Sequence, residues 1–436
     1  FNANNITKVS FFVIVISAPI QWISIVNVFG LSIKYIHLSI IPIALCLLFA
    51  DFRRTVVRFF LFNKLLISSF FLLMMTNLIF TCFSASNQDI GFSYISKNLS
   101  YLFYFVAFGS IMVYRCRSEN LHKEIAISNF LCTIIFLGVV EMVFLALGRN
   151  FIYELIENFL KGDSVAIRYD LFYKLFNAQG TAGDADYQTN LRNTLLGAFI
   201  YIHFTSQYSL RLSTKRYIKV INFFNICFGA FLVFASTSRS NMLVLVLGYL
   251  IFFFLSIYSN KLRIKPVHLF LGLVSVFLVI IFLPKLDAVF QNSTSMISDR
   301  LSQLDEDARW DLDGEALIYF ASNPFAGKGA GAVLSDGHRV HNFILGAAYQ
   351  TGIVGFILSL VFYFGIIFYV LRSGQLLAGQ QNLFWFVSLT SLPILRAMTS
   401  GNSGTLSIIE WFCLAFFFSV LMVQRENQYK MVTINA

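Results

Sequence analysis

His341 stands at the mouth of a long apolar run, directly after a largely polar interval that extends from Lys285. The dipole of a helix starting there disfavours a protonated imidazole. A neutral ring so placed can accept a proton from a sugar hydroxyl near neutral pH. His338, three residues upstream, is an alternative base, and a hydrogen-bonded capping role is the simpler reading of His341 from the residues alone. Four arginines stand near the same expected side of the chain: Arg239 in the turn STSRSNML, Arg192 opening one apolar run, Arg309 in the polar interval and Arg396 closing another run. Guanidinium groups grip phosphate or carboxylate in a planar, bidentate way and stay charged, so several of them converging suits a lipid-linked diphosphate. Each could instead snorkel to headgroups or pair with a nearby acid.

Two further patterns invite chemistry. The acidic run DEDARWDLDGE (Asp305 to Glu315) is dense enough for a divalent cation, but no EF-hand register fits it: placing Asp311 and Asp313 as ligands before Gly314 puts Arg309 first and Phe320 last. A solvated acidic surface is the simpler reading. The stretch NPFAGKGAG (Asn323 to Gly331) lacks the spacing of a phosphate-binding P-loop and reads as a flexible turn. On the run after His341, residues Leu345, Ala348, Gly352 and Gly355 share its stripe, and the small ones would let another helix approach closely. Glu141 and Glu410 are isolated carboxylates within apolar runs, expected to be protonated or paired with an arginine. No cofactor is implied by any motif, and no metal site is expected. The six cysteines show no metal or disulfide spacing.

The elements that must carry these residues are membrane helices. The 436-residue chain is 57% hydrophobic and only 12% charged, where soluble domains run near 25% charged. Apolar runs of about 20 residues, enough to cross a bilayer, recur throughout. Period-two alternation is absent from them, which argues against a barrel. The expected fold is all-α: a polytopic integral membrane protein of about twelve transmembrane helices. The spans fall near 9–28, 31–50, 65–85, 93–114, 124–147, 190–208, 220–237, 240–258, 267–284, 341–371, 383–398 and 405–424. The whole of 1–436 reads as one helical domain, and the first apolar run should persist as a helix rather than be cleaved.

Lys and Arg set the orientation. Arg53, Arg54, Arg58 and Lys64 follow the second run, Arg115, Arg117 and Lys123 the fourth, Arg211 to Lys219 the sixth, and Lys261 to Lys265 the eighth. Basic connections stay cytoplasmic, so both termini are expected there. The net charge of +10 is then a topology signal, and nucleic acid is not an expected partner. Two long intervals, 148–189 and 285–340, fall on the other face. Helical patterns such as FIYELIENFLK (Phe151 to Lys161) suggest short surface helices within these loops.

At the polar interval the chain resembles the O-antigen ligase and O-antigen polymerase superfamily. The resemblance rests on Ser238-Arg239, Arg309-Trp310, the turn from Pro324 to Gly329, His341-Asn342 and the step from Gly352 to Gly355, in that order. It covers about 230–360; Gln350 replaces the usual acidic residue before the glycine step. The resemblance implies an inverting, metal-independent glycosyl transfer on the periplasmic face of a bacterial inner membrane. The donor would be a glycan on undecaprenyl diphosphate. His341 would orient or deprotonate the acceptor, Arg239 and Arg309 would stabilise the departing diphosphate with help from Arg192 and Arg396, and Asn342, Gly352, Gly355 and His338 would support them. A polymerase, the favoured member, uses another lipid-linked repeat unit as acceptor, and a ligase uses lipid A-core. A chain-length regulator and membrane lipids are further implied partners. A transporter of the same lipid-linked glycan is the rival from another class; it would need charge through the bundle interior.

Overall fold

The computed structural model describes residues 3–17, 24–28, 31–84, 88–117, 120–163, 166–167, 171, 185–235, 241, 245, 309–335, 340, 342–377 and 406–435. The protein is a polytopic, helical membrane protein. Among the described residues six helices are long and apolar enough to cross a membrane, or seven if one bent pair counts as a span.

The helices are α1 (Ala3–Ser17), α2 (Ile40–Cys46), α3 (Ala50–Phe62), α4 (Lys64–Phe83), α5 (Gln88–Cys116), α6 (Leu121–Ala146), α7 (Phe151–Lys161), α8 (Ala185–Leu212), α9 (Arg216–Ala235), α10 (Arg309–Ser322), α11 (Phe343–Leu377) and α12 (Ile408–Asn435). The expected runs from 65 to 237 correspond to α4, α5, α6, α8 and α9, and the last run to α12. The runs at 240–258, 267–284 and 383–398 lie outside the described residues, apart from Asn241 and Leu245.

The first two runs are not simple spans. The helix expected over 9–28 stops at Ser17, and Ser24–Val28 pairs antiparallel with Leu31–Lys34, Val28 opposite Leu31. Pro19 disfavours helix in the residue before it, and SIVNV is rich in β-branched residues that suit a strand. The run at 31–50 becomes a short helical segment, Tyr35–Cys46, followed by α3 at 114° to it. Arg53 holds that bend: its Nη1 donates to the carbonyls of Leu47 and Leu48 at 2.9 and 3.0 Å, which the end of α2 leaves without helical partners.

Among the described residues α12 is the most buried span, with 89% of its most apolar window buried. A helix apolar all round belongs in such a position. Trp411 is its hub: the ring meets Phe70 of α4, Phe105 of α5 and Phe362 of α11 at centroid distances of 4.8, 5.1 and 5.7 Å. Glu410, expected as an isolated carboxylate, instead accepts from the backbone N–H of Ser407 at the start of α12, half of a capping box. Glu141 likewise accepts from Ile152 N at 3.0 Å and anchors the start of α7. At the other end of the bundle Arg115 is 2% exposed and forms a bidentate pair with Glu124. Its remaining nitrogen donates to the side chain of Asn4, so α1, α5 and α6 meet on one guanidinium.

Candidate functional site

Of the expected site residues that the structure describes, all but Arg192 fall on a carriage built from α10, the turn after it and the start of α11. α10 ends where Asn323-Pro324 removes a donor and biases the preceding residue away from helix. Its inner face packs on α11, Tyr319 against Tyr349 with centroids 5.1 Å apart and Phe320 against Phe356 at 5.5 Å. Glu315, the last acid of the acidic run, accepts from both the N–H and the hydroxyl of Ser335, at 2.9 and 2.6 Å. That carboxylate therefore closes a loop.

α11 is broken inside its span. Thr351 (φ −137°) and Gly352 (φ +65°, ψ −150°) leave the helical region. A break in a membrane helix strands backbone groups, which must find other partners. The Pro324–Gly329 turn supplies them. Ile353 N donates to Pro324 O at 2.7 Å, while Lys328 N and Gly329 N donate to the carbonyls of Tyr349 and Gln350 at 3.1 and 2.9 Å. Gly327 makes this approach possible, since a Cβ there would lie 2.1 Å from the Gln350 carbonyl oxygen. The far side of the turn is bonded to α4: Ala330 N donates to Thr81 Oγ1 at 2.9 Å, and Ser84 Oγ donates to Lys328 O at 3.1 Å.

Two expectations are corrected here. The glycine-rich turn is not flexible; it is stitched to two helices. The stripe from His341 through Leu345 and Ala348 to Gly352 and Gly355 does not run down one continuous helix, because Gly352 sits in the break. Its glycine is needed for positive φ and for the Pro324 carbonyl, which a Cβ would meet at 2.6 Å.

Asn342 is the N-cap of α11. Its Oδ1 accepts from Ile344 N at 2.9 Å and Leu345 N at 3.2 Å. Val340, two residues earlier, is buried with Ala316, Leu334 and Tyr349. Position 341 thus follows a buried anchor and precedes a helix cap. His341 itself, His338, Arg239 and Arg396 lie outside the described residues. Arg309 opens α10 and Arg192 falls within α8; the backbone is described at both. Gly355 is buried, and a Cβ there would collide with the Thr351 hydroxyl and the Ala347 carbonyl.

Lys328 was not singled out by sequence. Its ammonium lies 4.7 Å from the Tyr319 ring centre and 5.4 Å from that of Tyr349, so one cation joins the two aromatic faces that hold α10 to α11. A lysine between glycines hinted at a fixed backbone. Nothing local paired it with tyrosines on two helices.

Residues 224–360 match the family model described as O-antigen ligase. This segment is similar to the O-antigen ligase family. The match supports the wider O-antigen ligase and polymerase superfamily, and with it a role in lipid-linked glycan transfer. The matched segment starts within α9 and ends within α11. It contains the whole carriage together with Arg239, Arg309, His338 and His341, while Arg192 and Arg396 fall outside it. No curated protein sequence matches the chain.

Proposed function

We propose that this protein is a glycosyltransferase that takes its donor glycan from undecaprenyl diphosphate and joins repeat units as an O-antigen polymerase. The observation that carries the reading is the O-antigen ligase family match over 224–360, which encloses the α10–turn–α11 carriage. His341 is the base that orients or deprotonates the acceptor hydroxyl, and Asn342 holds the backbone next to it. Arg239 and Arg309 stabilise charge developing on the departing diphosphate, and Arg192 and Arg396 contribute to binding it. The donor arrives activated on its lipid, so inversion at the anomeric carbon needs a base and a phosphate cradle, without a metal.

The geometry supports placing the chemistry on the face away from the basic connections. The turn at Lys328–Ala330 is bonded to the Thr81–Ser84 end of α4, whereas Arg58 precedes the Lys64 end. A helix of this length is about 30 Å long, the depth of a bilayer core. On this reading the active face is periplasmic and the membrane is the inner one.

A ligase reading is favoured by the description of the matched family itself. Reconstitution with lipid-linked oligosaccharide, first alone and then with lipid A-core, separates the two. Long chains from the donor alone mean polymerase, and product only with core means ligase. Glycan crossing the bilayer with no new glycosidic bond would make the protein a transporter. Full activity in His341→Ala would remove the proposed base.

A further inference from the structure

A groove of about 610 Å³ lies between α1, α3 and α5, lined by Asn4, Asp51, Arg54, Thr55, Arg58, Tyr114 and Arg117. That volume is within the roughly 300–1,000 Å³ of small-molecule sites. It is separate from the α10–α11 carriage, and none of its lining residues lies in the matched segment. Three arginines face one lining carboxylate. Arg54 pairs with Asp51 only loosely, at 3.5 Å, with both side chains largely exposed. Arg117 bonds Glu426 at 2.8 Å, and Arg58 forms no ion pair among the described residues. The groove therefore has cationic capacity to spare for an anion.

Its depth in the membrane follows from the helices around it. Tyr114 and Arg117 mark the end of the span Ile90–Cys116, and Arg58 stands six residues before the span Lys64–Phe83 begins. Both put the groove at headgroup level. α3 has the two-sided character of a helix lying in that layer: Phe52, Thr55 and Phe59 are buried, while Val57, Phe60 and Leu61 are exposed beside the arginines. An apolar flank next to a guanidinium cluster suits a molecule with acyl chains and a phosphate. We infer that this groove binds the phosphate headgroup of an anionic phospholipid, gripped by Arg54, Arg58 and Arg117. Arginine forks suit phosphodiester oxygens, and basic pockets between membrane helices recognise such headgroups.

The test is thermal unfolding of the delipidated full-length protein in detergent, titrated with phosphatidylglycerol, with phosphatidylcholine of the same acyl chains, or with inorganic phosphate. Phosphatidylglycerol alone should raise the melting temperature. In Arg58→Gln the midpoint of that titration should move to roughly tenfold higher lipid, as one charge-assisted contact is lost, with Arg58→Lys in between. Lys219→Gln, an exposed charge on α9, should titrate like the wild type. An equal rise with phosphatidylcholine would mean general lipid solvation, and an equal rise with inorganic phosphate would mean a soluble-anion site. Either result overturns the inference, as does an Arg58→Gln protein that titrates like the wild type.

Discussion

Pro324 and Ile353 are bonded backbone to backbone: the Ile353 N–H donates to the Pro324 carbonyl across 2.7 Å, at the point where α11 breaks. The turn and the break therefore complete each other. Each supplies what the other lacks: the break leaves the Ile353 N–H without a helical partner, and the turn offers the acceptor.

Gly352→Ala should separate them. The substitution combines positive φ with a Cβ 2.6 Å from the Pro324 carbonyl oxygen, and strain of this kind costs about 1–3 kcal/mol. A lower melting temperature in detergent, with loss of glycan transfer, is expected. Gly138→Ala is the matched control, since a Cβ there has nothing within 4 Å and helix propensity favours alanine by roughly 0.5–1 kcal/mol. Equal melting temperatures for the two variants would contradict the account of the break.

Asn342→Ala removes the side-chain acceptor that caps α11, at a cost of about 0.5–2 kcal/mol. Asn342→Asp and Asn342→Ser keep an acceptor and should keep most of the stability. If Asn342 positions the neighbouring base, the turnover number should fall in the alanine variant more than the KM rises. A KM effect alone would assign Asn342 to binding.

Arg115 and Glu124 form a buried pair, and removing one partner leaves a charge without compensation. Arg115→Ala is expected to destabilise by about 3–5 kcal/mol and to lower the yield of folded protein. A double variant with both residues replaced by apolar ones should recover much of the loss. Additive losses in the double-mutant cycle would show that the two do not act as a pair.

Phe325 on the glycine-rich turn is 82% exposed. In a background freed of native cysteines, Phe325→Cys should react with a membrane-impermeant maleimide added from the periplasmic side. Labelling only after the cytoplasmic face is opened would invert the topology and move the proposed chemistry with it.

The sequence alone determined that this is a helical membrane protein, because the cost of placing charge or uncovered backbone in hydrocarbon is set residue by residue. For the same reason α4, α5, α6, α9 and α12 stood where apolar runs of sufficient length stood. The order Arg309, Pro324–Gly329, His341-Asn342 and Gly352 was legible as a family pattern, and the short helices α7 and α10 fall in the two long intervals. Local sequence did not reveal that the segment Tyr35–Cys46 is followed by α3 at 114°, a bend held by Arg53 reaching back to two carbonyls. Nor did it show why the glycines of the turn and Gly352 belong together. Their partners are Gln350, Pro324 and the end of α4, up to about 250 residues away in the chain. Close backbone approach and the satisfaction of stranded donors are pairwise properties of the folded chain, so only the tertiary structure could decide them.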